Sequence, residues 1–230
     1  MIKKVLGRSL GGTAIAGLVL TAAPVAVSPA FVPLACEYPV IPTTSTTLTL
    51  QQSVASFGTK TTATINVQSG AGTVTGKVRL VVNGNTKGLT DLVNGQSVRV
   101  LPRKLIAGRT HVIRAEYVGN CSFNASSQQK KYSVFKARTT TKARVKSARA
   151  AKFRARVIGS TGLVVRKGKV AFIVKNAQGV KIRSSIRRVR RGVAITDLRN
   201  LSRGNYKLVA RYLGSQNWKA SRGVKRFKVR

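Results

Sequence analysis

An internal repeat with a spacing of about 95 residues is the feature that most constrains how this chain can fold. Residues 115–126 read AEYVGNCSFNAS, and residues 210–221 read ARYLGSQNWKAS. Each copy places the end of a strand before a glycine turn, an aromatic residue and an Ala-Ser pair that leads into a final strand. Because each unit is also rich in short alternating strands, the repeat predicts two copies of one β-sandwich.

Alternating side chains predict where the strands lie in each unit, and no stretch of comparable length has helical periodicity. In the first unit Ala63, Ile65 and Val67 would face inward, and Asn83-Gly84 and Asn94-Gly95 favour hairpin turns. In the second unit, basic residues alternate with apolar ones over the stretch 152–157, which predicts a strand with its apolar side facing inward. We therefore predict an all-β chain with domains at 37–135 and 137–230. The linker 136–138 contains neither Gly nor Pro, so a short, stiff, end-to-end join is expected.

Residues 1–30 have the layout of a secretory signal peptide. A basic start is followed by the uncharged stretch 10–27, and Ser28-Pro29-Ala30 supplies the small residues that a signal peptidase reads. Cleavage after Ala23 or Ala35 is the alternative. The glycines and Pro24 disfavour a permanent membrane span. The expected localisation is secreted, extracellular or associated with the cell envelope.

The charge is strongly and unevenly basic. The chain has 43 Lys and Arg against 4 Asp and Glu, a formal net charge of +39. From Lys136 onward there are 29 basic residues and a single acidic one, Asp197. Such an excess attracts polyanions. The alternative is that these residues form solvated strand faces and keep sheet edges from pairing.

The second unit resembles the bacterial Ig-like repeat domains of secreted and surface proteins. The resemblance is carried by 168–172 (GKVAF), 204–206 (GNY), 210–214 (ARYLG), Trp218 and Ser221. In the first unit it is carried by Gly76, Val78, Ala115, Tyr117, Gly119, Phe123 and Ser126, with Leu80 in place of the aromatic residue. It implies two tandem Ig-like antiparallel β-sandwich domains that act as spacers or adhesive modules, and it carries no catalytic residues. Asn120 and Ser215 stand where many such repeats have an acidic residue, which argues against a cation-dependent role.

The two cysteines, Cys36 and Cys121, predict a disulfide. Their even number in an exported chain favours pairing. The start of the first strand and the loop between the sixth and seventh strands also lie at the same end of an Ig-like sandwich. Two free thiols are the alternative. Such a bridge would contribute about 2–4 kcal/mol, mostly by restricting the unfolded chain.

The inventory of reactive side chains argues against an enzyme. Four acidic residues and one histidine do not readily supply a carboxylate pair, a Ser-His-Asp arrangement or a metal cage. His111 is interpreted as a surface or partly packed residue. We therefore expect no catalytic residue, metal site, cofactor or small-molecule substrate.

Clusters of basic residues are the remaining candidates for function, because the planar guanidinium of arginine suits phosphate, sulfate and carboxylate groups. The candidate polyanion-binding residues are Arg166, Lys167, Lys169, Arg187, Arg188, Arg190, Arg191, Lys225 and Arg226. The predicted partner is a polyanionic polymer or cell-envelope component: an anionic cell-wall polymer, an acidic polysaccharide or extracellular DNA. Binding to nucleic acid would be non-specific, because no helix is available for the major groove. The alternatives are a structural spacer without a ligand and a dedicated nucleic-acid-binding protein.

Overall fold

The computed structural model describes residues 40–230, and these are built from strands and connecting turns. The first eight strands lie between Ser45 and Phe135. They are β1 (Ser45–Leu50), β2 (Val54–Ser56), β3 (Thr62–Gln68), β4 (Lys77–Val82), β5 (Asn85–Asp91), β6 (Gln96–Val100), β7 (Arg109–Tyr117) and β8 (Ser126–Phe135). The remaining strands are β9 (Thr139–Ser147), β10 (Lys152–Gly159), β11 (Lys169–Lys175), β12 (Lys181–Arg188), β13 (Val193–Asp197), β14 (Gly204–Tyr212) and β15 (Ser221–Val229).

The strands pair into two sheets in each half of the described chain. The first half contains the sheets β1-β3-β6 and β2-β8-β7-β4-β5, and the second contains β13-β10-β9 and β12-β11-β14-β15. Every strand pair is antiparallel except β2 with β8, a short parallel addition at a sheet edge. The fold is therefore all-β, with Ig-like antiparallel sandwiches, as the sequence predicts. We call residues 45–135 the first sandwich and residues 139–229 the second.

The inward side chains are those that strand alternation predicts. Phe153 on β10, Phe172 on β11, and Leu208 and Tyr212 on β14 have no solvent exposure. Ala63 and Ile65 on β3 are also fully buried. Full burial of a large apolar side chain contributes about 1.5–3 kcal/mol, so these rows supply much of the driving force for packing the sheets together.

The repeat extends to individual hydrogen bonds. The Oγ1 atoms of Thr44 and Thr46 each lie 2.7 Å from Oγ of Ser126. In the second sandwich the Oγ1 atoms of Thr139 and Thr141 lie 2.7 Å from Oγ of Ser221. Each serine thus ties the last strand of its sandwich to the first.

A second repeated contact joins a tyrosine to a glycine turn. The Tyr117 hydroxyl donates to the Thr75 carbonyl and the Tyr212 hydroxyl donates to the Lys167 carbonyl, both at 2.7 Å. Gly168 follows with a φ of +109°, and a Cβ there would lie 2.6 Å from the Tyr212 hydroxyl oxygen. Glycine is required at this position both for its backbone conformation and for the space that the ring occupies.

The two sandwiches are joined end to end by a packed contact. Ala137 in the linker is fully buried, and its N–H donates to the Asn217 carbonyl at 3.0 Å. The Ala107 N–H donates to Asn217 Oδ1, also at 3.0 Å, and the Arg103 guanidinium donates to the Thr161 carbonyl at 2.9 Å. The described residues, 40–230, fall within one compact unit. The division of the chain into separate folding domains at 37–135 and 137–230 stays a prediction.

The burial of one residue differs from the sequence interpretation. His111 is buried and not at the surface: its ring nitrogens lie 2.8 Å from Asn83 Nδ2 and 2.9 Å from the Ile106 carbonyl oxygen. These two partners satisfy the imidazole and allow its burial.

Some predictions concern residues outside the described range. The signal peptide at 1–30 and Cys36 lie there, so the export signal and the Cys36–Cys121 disulfide stay predictions. Cys121 is described, in the tight turn that Asn120 and Phe123 close through paired backbone hydrogen bonds. Over residues 40–230 there is no helix of the length and hydropathy needed to cross a membrane.

Candidate polyanion-binding surface

Seven of the nine candidate residues come together at one end of the second sandwich. The backbone of 165–169 runs beside that of 188–192, because Val189 N–H donates to the Gly168 carbonyl at 3.0 Å and Gly192 N–H donates to the Val165 carbonyl at 2.7 Å. We call this group the hairpin-end cluster. It consists of Arg166, Lys167, Lys169, Arg187, Arg188, Arg190 and Arg191, all exposed.

The hairpin turn in this cluster holds an arginine, Arg191, in a left-handed backbone conformation that disfavours this residue type. Arg191 and Gly192 have φ values of +47° and +78°, which is the geometry of a type I′ hairpin turn. The matching turn of the first sandwich has Asn94 and Gly95, with φ values of +50° and +71°. Asparagine tolerates positive φ more readily than arginine does. The second sandwich therefore accepts a conformational cost for a cation at the tip of this hairpin.

Lys225 and Arg226 lie apart from the hairpin-end cluster. Both are on β15, which forms one edge of the sheet β12-β11-β14-β15, while Arg187 and Arg188 are on β12 at the opposite edge. Three strand spacings separate the edges, about 14 Å. Lys225 lies opposite the inward Leu208, whereas Arg226 lies opposite the outward Lys207. The nine residues therefore do not form one site by themselves.

Further basic residues lie between these two places, on the outward face of the same sheet. Lys175 on β11 lies opposite Lys207 on β14 and Lys181 on β12, and Lys207 lies opposite Arg226 on β15. These four cations therefore form one row across all four strands, which we call the cation row. The sequence interpretation missed Lys175, Lys181 and Lys207, because their alignment depends on strand register and on a bulge where β11 and β12 pair.

A strip of aliphatic residues borders the cation row on this face. The next row lies two positions along β11, β14 and β15 and three along β12, where the bulge adds a residue, and it consists of Ile173, Val209, Val224 and Ser184. Val209 is only 5 % exposed although it lies outside the hydrophobic core, as expected if the aliphatic stems of neighbouring Lys and Arg side chains cover it. Beyond the strip, Arg211 lies opposite Arg222. We call this outward surface of β12-β11-β14-β15 the cationic face.

The corresponding face of the first sandwich contains ion pairs between its acidic and basic side chains. The Glu116 carboxylate forms ion pairs with Arg79 and Arg114, and Lys77 lies 2.8 Å from Asp91. The Lys77 hydrogen bond and charge hold the pKa of the Asp91 carboxyl below its ordinary value. At the positions of Glu116, Arg79 and Arg114, the second sandwich has Arg211, Ala171 and Val209. In the second sandwich an arginine thus replaces the glutamate, and apolar residues replace the two arginines that pair with it.

The strands of the cationic face contain no carboxylate side chain. Asp197, the acidic residue of the second sandwich, lies on β13 opposite Lys152 in the other sheet. Among residues 40–230, no three His, Cys, Asp or Glu side chains are grouped so that they could hold a metal ion. This face can therefore attract anions without competition from its own side chains.

No protein-family model matches the chain, and no curated protein matches it. Among solved structures, the chain is similar to a tetra-tandem repeat in the extending region of a large adhesion protein, at 15 % identity and a TM-score of 0.46. That match covers 81 % of this chain and 50 % of the other, so this chain spans about half the length of that solved chain. It is also similar to the Yersinia pseudotuberculosis adhesin InvE, at 16 % identity and a TM-score of 0.41, covering 80 % of this chain and 59 % of that one.

A third similar structure is that of the fibronectin(III)-like modules of Clostridium thermocellum CbhA, at 15 % identity and a TM-score of 0.30. This match covers 80 % of this chain and 94 % of the other. The class of protein is defined by its own strand pairing: Ig-like β-sandwiches, the second of which carries the cationic face.

Proposed function

We propose that this chain is an exported, non-enzymatic binding protein that attaches to polyanions through its second sandwich. The observation that carries the proposal is the cationic face, on which outward Lys and Arg residues have no acidic neighbour. Like charges placed directly opposite one another across strands destabilise a sheet by about 0.2–1 kcal/mol per pair. A bound polyanion would remove this repulsion, so the arrangement is favourable in a complex.

The hairpin-end cluster supports the same proposal from the adjoining end of the sheet. Arg188 lies opposite Lys169, so the cluster continues directly into the cationic face. Arg187, Arg188 and Arg190 line a groove together with the apolar side chains of Ile186 and Ile195. Guanidinium groups around such a groove can form charge-assisted hydrogen bonds to phosphate, sulfate or carboxylate groups.

Chromatography on heparin or on a phosphate resin tests the proposal. The chain without residues 1–30 should be retained and should elute only at high salt, because binding to a polyanion releases its counterions. Replacing Arg187, Arg188, Arg190 and Arg191 with Gln should lower the eluting salt concentration. A control that removes four charges from the first sandwich, K60Q/K87Q/K130Q/K131Q, should lower it less. A chain that passes through both resins at low salt would refute the proposal.

The packed contact between the sandwiches favours a second candidate, a structural spacer. Ala137 pairs with the segment beside Trp218, and its carbonyl accepts a hydrogen bond of 2.8 Å from Lys219 N–H. A stiff tandem suits a spacer whether or not it binds a ligand. Small-angle scattering tests this candidate: one fixed end-to-end arrangement is expected, and a broad distribution of interdomain distances would argue against it.

A further inference from the structure

We infer that the cationic face binds an acidic polysaccharide, a linear sugar chain with regularly spaced anionic groups, laid across the four strands. This inference depends on the proposed polyanion function and specifies its site and ligand class. The cation row provides one charge per strand, from Lys181 through Lys175 and Lys207 to Arg226. Neighbouring strands lie about 4.8 Å apart. One sugar ring lengthens a polymer by a comparable distance, so the charges of the polymer and those of the cation row have a similar spacing.

The aliphatic strip gives such a chain a surface on which to lie. Ile173, Val209 and Val224 lie two residues along their strands from the cation row, which is about 7 Å. The C–H faces of sugar rings are apolar and can pack against aliphatic side chains, while their anionic substituents reach the row. Val224 is 44 % exposed and offers the most accessible part of this strip along β14 and β15.

The composition of the cationic face argues against two other anionic partners. Its outward positions contain no aromatic side chain, whereas proteins that hold single-stranded nucleic acid combine a basic groove with aromatic rings on which the bases stack. Insertion into an anionic membrane uses Trp, Phe or Leu on a projecting apolar surface. Here the apolar residues are β-branched or small and lie between longer cationic side chains. An acidic polysaccharide has no bases and carries its charges at its edge. It therefore fits this surface better than single-stranded nucleic acid or an anionic membrane does.

Direct binding measurements with defined probes test the inference. The probes are polygalacturonate, with one carboxylate per sugar, an oligothymidylate matched in anionic charge, and phosphatidylglycerol vesicles. The protein is the chain without residues 1–30. The site variant is K175Q/K207Q/R226Q, and the control K87Q/K130Q/K131Q removes the same charge from the first sandwich. A third variant, V224T, changes the aliphatic strip without changing charge.

The site variant should lose affinity for polygalacturonate by about tenfold or more at moderate salt, while the control loses about twofold or less. V224T should weaken binding of polygalacturonate and leave that of oligothymidylate unchanged. The site variant should melt at the same temperature as the parent or higher, because like charges have been removed. A normal melting transition excludes misfolding as the cause of the lost affinity.

The outcomes separate failure of this inference from failure of the proposed function. If both triple variants weaken polygalacturonate binding equally, attraction is spread over the molecule, and the specific site is refuted while polyanion binding stands. If oligothymidylate or the vesicles bind more tightly than polygalacturonate, the ligand class is wrong. If none of the probes binds even at low salt, polyanion binding itself is refuted.

Discussion

The rings of Phe57 and Trp218 meet edge to face across the contact between the two sandwiches, with their centroids 5.2 Å apart and their planes at 79°. Both side chains are buried. A Cβ on Gly159 would lie 2.3 Å from the Trp218 indole, so the absence of a side chain at 159 makes room for the ring. The repeated aromatic position thus serves in the second sandwich to pack one sandwich against the other.

We expect W218A to loosen this contact and to destabilise the chain by about 3–5 kcal/mol, the usual cost of truncating a large buried aromatic side chain. Small-angle scattering should show a wider range of interdomain distances, and chemical denaturation should show the loss of stability. F123A is the matched control, because Phe123 occupies the repeated position in the first sandwich. It should destabilise the chain without broadening the distance distribution. Equal broadening in both variants would contradict the assigned role of Trp218.

Replacing Arg191 with Asn should stabilise the fold and weaken polyanion binding at the same time. A left-handed backbone conformation costs an ordinary L-residue about 1–2 kcal/mol, a cost that asparagine partly avoids. R191N should therefore raise the thermal midpoint by a few degrees while lowering the salt concentration at which the chain leaves a heparin column. R190N, next to it, removes the same charge without the conformational gain. A lower midpoint for R191N would show that the Arg191 side chain has a stabilising role in the fold.

The Tyr212 hydroxyl makes stability depend on pH in the alkaline range. Burial raises the pKa of Tyr212 above its ordinary value of 10.0. The folded state therefore favours the neutral phenol more than the unfolded state does. The resulting stabilisation is complete below pH 10.0 and is lost as the pH rises through the higher pKa of the folded chain.

Urea unfolding at several pH values checks this dependence. Y212F should reduce stability near neutral pH by about 0.5–1.5 kcal/mol, because the hydrogen bond to the Lys167 carbonyl is lost. Its stability should then fall less steeply than that of the parent above pH 10.0. Comparing the two proteins at each pH cancels the contribution of lysine deprotonation, which both share. Parallel curves would contradict the role given to the phenol.

Glu116 and Arg211 occupy equivalent positions with opposite charge, so neutralising them should have different effects on stability. E116Q should destabilise the first sandwich by about 1–3 kcal/mol, because Arg79 and Arg114 lose the carboxylate between them. R211Q should leave stability unchanged or raise it, since Arg211 lies opposite another arginine, Arg222. Thermal and chemical denaturation of the two variants measure both effects. Destabilisation by R211Q as large as that by E116Q would show that the cationic face stabilises the fold.

The sequence is sufficient to predict the strands, their inward faces and the repeat, because each depends on local alternation or on turn residues. The burial of Phe153 and Tyr212 follows directly from that alternation. The sequence is not sufficient, however, to predict the cation row. Lys175, Lys181 and Lys207 are 6 and 26 positions apart in the chain, and only the register of three strands brings them together.

The contacts of Trp218 and His111 also could not be predicted from the local sequence pattern. Trp218 could be recognised as a repeated aromatic residue, but its packing against Phe57 depends on how the sandwiches meet. His111 begins a run of alternating residues and could be placed on β7. Its burial depends on Asn83, 28 positions earlier, and on the Ile106 carbonyl, both of which satisfy its ring.

The proposed site of polyanion binding is the cationic face of the second sandwich and not the surface of the first. The most direct measurement is the affinity of the chain without residues 1–30 for dextran sulfate over a series of salt concentrations, comparing the parent with K175Q/K207Q/R226Q and K87Q/K130Q/K131Q. The logarithm of the affinity should fall linearly with the logarithm of the salt concentration, and this slope should become clearly shallower only in the variant of the second sandwich. Identical slopes for all three proteins, or no binding at low salt, would contradict it.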